Sequence, residues 1–483
     1  MLNIEQIKEA WTDKIWFFRF KKFDSGKYLI TNDAWKFEFF DSEEFDNFIS
    51  WKNLEELKKY DALVEKGFIK TNDYEKEMVK SVSQKNHFVW VGPTLHMIVV
   101  TLRCNHKCKY CHAAVAPMSA TEFDMSKETA KKVVDTIFFT NSSSLTIEFQ
   151  GWEALVNYEV VQFIVEYSKQ RAFHLNKTLS LVMVSNLTLM TEEKLEWLLD
   201  NWVDVCTSLD WDEITHNSNR AWYDWNSFEK VSYWIKKIDK EKTKRNMWRI
   251  WALLTTTKET IPKYKKIIDS YLDLGLDWIF LRWLNPYGFA ASQMDKLAYE
   301  ADDWIKFYQE SLDYIIELNK KWTFFRENIT SVYLKKIFDT VDPAFMDIRS
   351  PSWIAIWGVA YNYDWKIYAS DESRMLGRMW DDSFLVSEWI WTSEENYREM
   401  INSDVTKAAI QSSCLDGLPW YNDHVYKPYL WVDIIHNYKT CWSLFNPIKK
   451  DEKVKIQVAI LDYIFEKLEN EEDKEVLMSW RSM

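Results

Sequence analysis

Glycine is nearly missing from this chain. Its 483 residues include 9 Gly, where average usage would give about 34. Tryptophan is in matching excess, with 28. Several Trp stand where turn chemistry asks for Gly. Asp364-Trp365-Lys366 lies between two strand-like runs, where a hairpin prefers Asp-Gly. Asn201-Trp202-Val203 follows a helical pattern, where a left-handed cap prefers Gly. Ala34-Trp35-Lys36 and Asp210-Trp211 are also turn-like. Trp is bulky and unsuited to φ > 0. Pooling the two residue types restores an ordinary glycine content with a few tryptophans to spare. The pattern points to UGA codons that the source organism reads as glycine and that are written here as Trp. The alternative is a truly Trp-rich protein. UGG codons at Trp152, Trp202 and Trp365 would exclude the recoding.

Other shortages set further bounds. Six cysteines are too few for a disulfide scaffold of this length. Three of them fall within eight residues, which points to metal in a reducing, cytoplasmic setting. No apolar run approaches the roughly 18 residues of a membrane span. The opening MLNIEQIKEAW lacks a basic region followed by an apolar stretch, so no secretion signal is expected. The net charge of −13 argues against nucleic acid or an anionic membrane as main partner.

The length allows two or three domains. Residues 1–88 show short alternating strands at Phe17–Phe20, Tyr28–Thr31 and Lys36–Phe40, then helical patterns near 42–51 and 54–66. This predicts a small α+β module, suited to peptide recognition or to capping the next domain. Residues 89–325 alternate strand and helix. Strands are predicted at His96–Arg103, Leu145–Gly151, Leu179–Asn186, Val203–Asp210, Arg249–Thr257 and Leu276–Asn285. Helices are predicted at Ser126–Thr140, Tyr158–Arg171, Thr191–Asp200, Ser227–Lys240, Glu259–Leu274 and Ala301–Lys320. Six βα units with continuous apolar strands predict an α/β fold with a parallel sheet. They fit a partial (β/α)6 TIM-type barrel, with chemistry at the C-terminal strand ends; a doubly wound open sheet is the alternative. Residues 326–483 form a loop-rich remainder with a hairpin at Gly358–Ala369 and a closing helix at Lys453–Leu468.

Directly after the first barrel strand the chain reads Cys104-Asn-His-Lys-Cys108-Lys-Tyr-Cys111. Three thiolates at this spacing can hold three irons of a cubane cluster and leave the fourth open. A zinc site would want two ligand pairs, with His106 or His112 completing the set.

This segment resembles the radical S-adenosylmethionine (SAM) superfamily. The resemblance implies one [4Fe–4S] cluster on Cys104, Cys108 and Cys111, with SAM bound at the open iron. Tyr110 matches the superfamily's aromatic residue before the third cysteine. The second strand ends Gly151-Trp152-Glu153-Ala154, at the position of the superfamily's Gly-Gly-Glu-Pro motif, whose backbone and Glu hold the SAM amino group. An indole at 152 would obstruct SAM, because only Gly permits that close approach; recoding would turn the segment into Gly-Gly-Glu-Ala. By the same resemblance Ser185, Asn186, Ser208 and Asp210 sit near SAM or substrate, though each also suits a cap or turn. Arg282 is a candidate for a carboxylate partner or a structural ion pair. Cys206 reads as a core thiol.

Further segments narrow the resemblance. Leu102-Arg-Cys104, Val184-Ser-Asn-Leu-Thr-Leu-Met190, Asn285-Pro-Tyr-Gly288, Arg349-Ser-Pro351, Ala360-Tyr-Asn-Tyr-Asp364 and Tyr426-Lys-Pro-Tyr429 look like the maturases of the His-Xaa-Ser peptide system. So does the opening Phe18-Arg-Phe20 with Asn32-Asp-Ala34. This implies a peptide or small protein substrate, with a partner maturase and a flavodoxin- or ferredoxin-like electron donor. It also implies a SPASM-like C-terminal domain, but most of the auxiliary-cluster cysteines are absent. Ser352 and Ser370 stand where thiols are expected, and Cys414 and Cys441 remain. One cluster is therefore expected, and about eight irons per chain would contradict that. The alternatives are a SPASM-like maturase of another substrate such as a sulfatase, a degenerate cluster-containing binding protein, and a zinc-binding structural module.

Overall fold

The computed structural model describes residues 14–50, 54–71, 73–113, 115–224, 226–389 and 393–482. The leading segment, on which the expected lack of a secretion signal rests, and Trp51 of the first helical pattern lie outside them.

The centre is a mostly parallel sheet. Six strands, Leu95–Val99, Ser144–Gln150, Thr178–Val184, Val203–Ser208, Trp251–Thr255 and Leu281–Arg282, lie side by side in chain order. Every neighbouring pair among them is parallel. A doubly wound sheet would reverse its order partway. A sheet wound in one direction curls toward a barrel, as predicted.

Side-chain alternation gives the sheet two different faces. On the second strand Leu145, Ile147 and Phe149 are buried in the main core, while Thr146, Glu148 and Gln150 face an interior cavity. The outward residues meet the helices Lys127–Ile137, Tyr158–Leu175, Glu192–Asp200, Ser227–Lys244 and Tyr264–Asp273. Each fully buried aliphatic residue there contributes about 1.5–3 kcal/mol. Side-chain caps start several of these helices. Ser126 accepts from Thr129 N at 3.0 Å, and Thr191 from Lys194 N at 3.2 Å.

The predicted C-terminal hairpin does not stand apart. Its strand Gly358–Tyr361 pairs in parallel with Leu95–Val99 and extends the central sheet, and Ile367–Tyr368 and Leu385–Ser387 continue it antiparallel. The N-terminal meander of Arg19–Lys22, Tyr28–Thr31 and Phe37–Phe40 buries Ile30 and Phe40 in a small core of its own. Its other face packs Phe37 edge-on against Phe465 of the closing helix Glu452–Lys467, with ring centroids 5.2 Å apart.

Among the described residues, eleven non-glycine positions have positive φ, and six are Trp: 35, 202, 322, 365, 380 and 442. Trp35, Trp202 and Trp365 are three of the four turn-like positions named from the sequence. The fourth, Trp211, has no positive φ and is buried in the core. Trp322 and Trp380 follow helices with their indoles 97% and 98% exposed. A side chain in the left-handed region costs about 1–2 kcal/mol, and these exposed rings return little packing. W202G, W322G and W380G are each expected to raise the unfolding free energy by about 1 kcal/mol. A denaturant midpoint that fell in these variants would contradict the assignment.

Candidate functional site

The interior faces of the six strands and the loops at their C-terminal ends surround a cavity of about 590 Å³. Cys104, Cys108, Cys111, Tyr110, Gly151, Trp152, Ser185, Asn186, Ser208 and Arg282 all line it. Glu153 and Asp210 lie fully buried behind the wall. Cys206 is buried and belongs to the same wall rather than to the outer core.

The cysteine loop is held from three sides. Its segment His106–Cys108 forms a short antiparallel ribbon with Arg220–Trp222. Lys109 N donates to Asn219 O at 2.8 Å. On the far side Ala290 N donates to Cys111 O at 2.9 Å, and Gly288 presses so close that a Cβ would fall 2.2 Å from His112 O. The Asn285-Pro-Tyr-Gly288 segment is thus part of the loop's support. Burial raises all three thiols above their ordinary range, Cys108 to about 12, and neighbouring thiols add to this at Cys104 and Cys108. Such thiols ionise only against a positive charge, and the donor set fits an iron–sulfur cluster. Among the described residues no three Cys, His, Asp or Glu converge on a single-ion site. His106 and His112 also line the cavity, and His106 Nε2 lies 3.2 Å from Ser227 Oγ.

Tyr110 and Asp210 come together. The Tyr110 hydroxyl reaches both Asp210 carboxylate oxygens, at 2.7 and 2.8 Å, and Asn219 Nδ2 donates to the same carboxylate at 3.1 Å. Burial pushes the Asp210 carboxyl up, and the Arg220 guanidinium, with Nε 3.7 Å away, opposes the shift. This network braces the cysteine loop. Sequence reasoning missed Arg220, which belongs to no motif and meets the loop only through the ribbon.

Glu153 ties two strand ends to the first cysteine. It accepts from Ser185 Oγ at 2.8 Å, Asn186 N at 2.7 Å and Leu155 N at 3.1 Å. Asn186 Nδ2 in turn donates to Asn105 Oδ1 at 2.9 Å and lies 3.8 Å from Cys104 Sγ. Gly151 has φ +126°, and a Cβ there would lie 2.6 Å from Thr101 O. The Trp152 indole packs beside Val99, Leu102 and Ala116. The Arg374 guanidinium lies over the same ring, 4.5 Å from its centroid.

Arg282 faces Glu148 and Asp347, whose carboxyls burial pushes to about 6 while Arg282 pulls them back.

Residues 98–264 match the family described as the radical SAM superfamily. The chain carries a radical SAM domain. Among curated proteins it is 31% identical over 120 residues to an uncharacterized protein of Methanocaldococcus jannaschii, covering 25% of this chain and 40% of that protein. It is 22% identical over 326 residues to the radical SAM cyclopropyl synthase TigE of Paramaledivibacter caminithermalis, covering 62% of this chain and 63% of TigE. The chain thus spans less than two thirds of either relative. Among solved structures, histidine-tagged anSMEcpe with bound AdoMet superposes with a TM-score of 0.62 at 15% identity, covering 80% of this chain and 98% of that one. Native anSMEcpe with AdoMet and the Kp18Cys peptide gives 0.61 at 15% identity, covering 79% and 100%. At that identity the likeness establishes the fold.

Glu148 makes the stability of the fold depend on pH. Its folded pKa of about 6 lies above the ordinary 4.5, so stability falls as the pH rises from 4.5 to 6 and the full penalty of ionising it applies above 6. E148Q is expected to stabilise the protein by up to about 2 kcal/mol at pH 7. The gain should fade as the pH drops from 6 to 4.5. A gain that did not change with pH in denaturant titrations would contradict the buried, raised carboxyl.

Proposed function

We propose that this protein is a radical SAM maturase that reductively cleaves SAM and abstracts a hydrogen from a ribosomally made peptide or protein. One observation carries the reading: three half-buried thiols and the Gly151 strand end share one cavity wall. Cys104, Cys108 and Cys111 would hold three irons of one [4Fe–4S] cluster, whose chemistry is electron transfer to SAM with release of a 5′-deoxyadenosyl radical. The chain's own residues do the positioning. Tyr110, Asp210 and Arg220 keep the cysteine loop rigid. Glu153 draws Ser185 and Asn186 toward Cys104. The cavity-lining strand faces surround the reacting centre and would shield a reactive radical from solvent.

In this reading position 152 is glycine in the protein as its own cell makes it. The Trp at the six positive-φ sites support the same substitution elsewhere. Without the indole, the backbone at 151–152 is open to SAM.

A peptide substrate is supported by the anSMEcpe complex with the Kp18Cys peptide and by the sequence resemblance to peptide maturases. A neighbouring pocket, with Trp283, Trp431 and Lys453 in its wall, shares Arg282, Asp347 and Glu372 with the main cavity. The C-terminal region, with Ser352 N bonded to Ser413 Oγ at 2.8 Å, would act as a substrate cover without an auxiliary cluster. A flavodoxin- or ferredoxin-like donor would supply the electron, and a partner maturase is consistent with the resemblance. The second reading, a degenerate cluster-binding protein, rests on Trp152 taken literally.

The two readings separate in one assay. W152G, reconstituted anaerobically and reduced, is expected to form 5′-deoxyadenosine from SAM, and the chain with Trp152 to form at least ~100-fold less, a difference of about 2.7 kcal/mol or more in the barrier. No product from either form would favour the degenerate reading. C108A is expected to lose the visible iron–sulfur absorbance while keeping its far-UV circular dichroism; retained absorbance would contradict the ligand assignment.

A further inference from the structure

We propose that His106 is a positioning residue of the cluster: a buried relay of hydrogen bonds fixes its tautomer, and its Nδ1–H is thereby offered to a cluster sulfur. This rests on the cluster of the functional reading above, but not on SAM or on residue 152. His106, Ser227 and His216 come from three elements: the ribbon, the start of the helix Ser227–Lys244 and the helix Glu213–Asn219. They are 3%, 1% and 0% exposed. Asp210 N donates to His216 Nδ1 at 3.2 Å, so the His216 ring proton sits on Nε2. That Nε2 lies 3.1 Å from Ser227 Oγ and donates to it. The buried Ser227 hydroxyl proton then has one partner left among the described residues, His106 Nε2 at 3.2 Å. His106 Nε2 therefore accepts, and the proton of its ring is on Nδ1.

His106 Nδ1 is buried and has no hydrogen-bond partner among the described residues. A buried N–H left unmet is costly, so the site calls for an acceptor. The ribbon directs the side chain toward one. Strand alternation puts His106 and Cys108 on one face of His106–Cys108 and the exposed Lys107 on the other. His106 lines the same cavity as Cys104, Cys108 and Cys111. Its backbone already touches the first of them, with His106 N donating to Cys104 Sγ at 3.3 Å. The sulfurs of the cluster are the acceptors that loading adds at this wall. An N–H···S bond favours the more negative, reduced cluster and so raises its potential.

The test is a potentiometric titration, followed by electron paramagnetic resonance, of cluster-loaded full-length protein without SAM. H106L removes the donor, whereas H106N keeps an N–H near the place of Nδ1. H106L is expected to cut the reduced-to-oxidised ratio at fixed potential about tenfold, a midpoint ~59 mV lower for a one-electron couple. H106N is expected to recover most of that loss. S227A leaves the cysteine loop intact and frees the tautomer, and it is expected to lower the midpoint by less than H106L does. In the unaltered protein with isotopically labelled histidine, pulsed resonance of the reduced cluster should show a nitrogen coupling that H106N lacks. A ring that only fills space would give equal midpoints for H106L and H106N, an unmoved midpoint for S227A, and no such coupling; any of these results would overturn the proposal. If the unaltered protein takes up no iron–sulfur cluster at all, the functional reading itself fails, and this inference with it.

Discussion

Two strand ends meet in this protein with no room for a side chain between them. At Gly151 the second barrel strand passes so close to the first that a Cβ would lie 2.6 Å from Thr101 O. The backbone there takes φ +126°, which side chains rarely tolerate. The rest of the site depends on that approach. It sets residue 152 beside Leu102 and Ala116, which flank the cysteine loop. It sets Glu153 under the end of the third strand, where Ser185 and Asn186 bond to it and lean toward Cys104. The sheet supplies the curvature, and this one contact converts curved strands into a site.

Much of this was legible in the sequence because the signals are local. The six βα units follow from apolar runs and helical periods, and the observed elements agree with them to within a few residues, apart from a sixth strand much shorter than its apolar run. The cysteine triad announces its own chemistry by spacing. The hairpin at 358–368 was also readable, but its parallel pairing with Leu95–Val99 was not, since about 260 residues of chain separate the partners and local patterns carry no signal over such a span. The same limit hid Arg220, which reaches Asp210 only because the ribbon of His106–Cys108 and Arg220–Trp222 forms. Arg374 gave no signal at all, because an arginine in an amphipathic helix looks like a surface residue until the burial is known. Tyr110 and Asp210 were expected near the cofactor, and the fold joins them to each other first.

The tryptophans tie composition to backbone. Positive φ is a property of glycine, yet six of the eleven non-glycine positions that adopt it among the described residues are Trp. Each carries about 1–2 kcal/mol of local strain, and most of their rings meet solvent. A chain that needed Trp for packing would bury it, as Trp304, Trp357 and Trp480 are buried. Two populations are therefore mixed under one residue name; residue 152 has no positive φ, and it joins the first only through its place directly after Gly151 at the strand end. Its indole occupies the cavity wall against the Arg374 guanidinium, whose donors are all unmet.

The central claim is that residue 152 is glycine in the living protein and that the cavity is thereby open to SAM. Mass spectrometry of the tryptic peptide running from Val133 to Lys169, taken from protein isolated from its own organism, tests it most directly. The account predicts a fragment series with a glycine residue mass at position 152. A tryptophan mass at that position would contradict it.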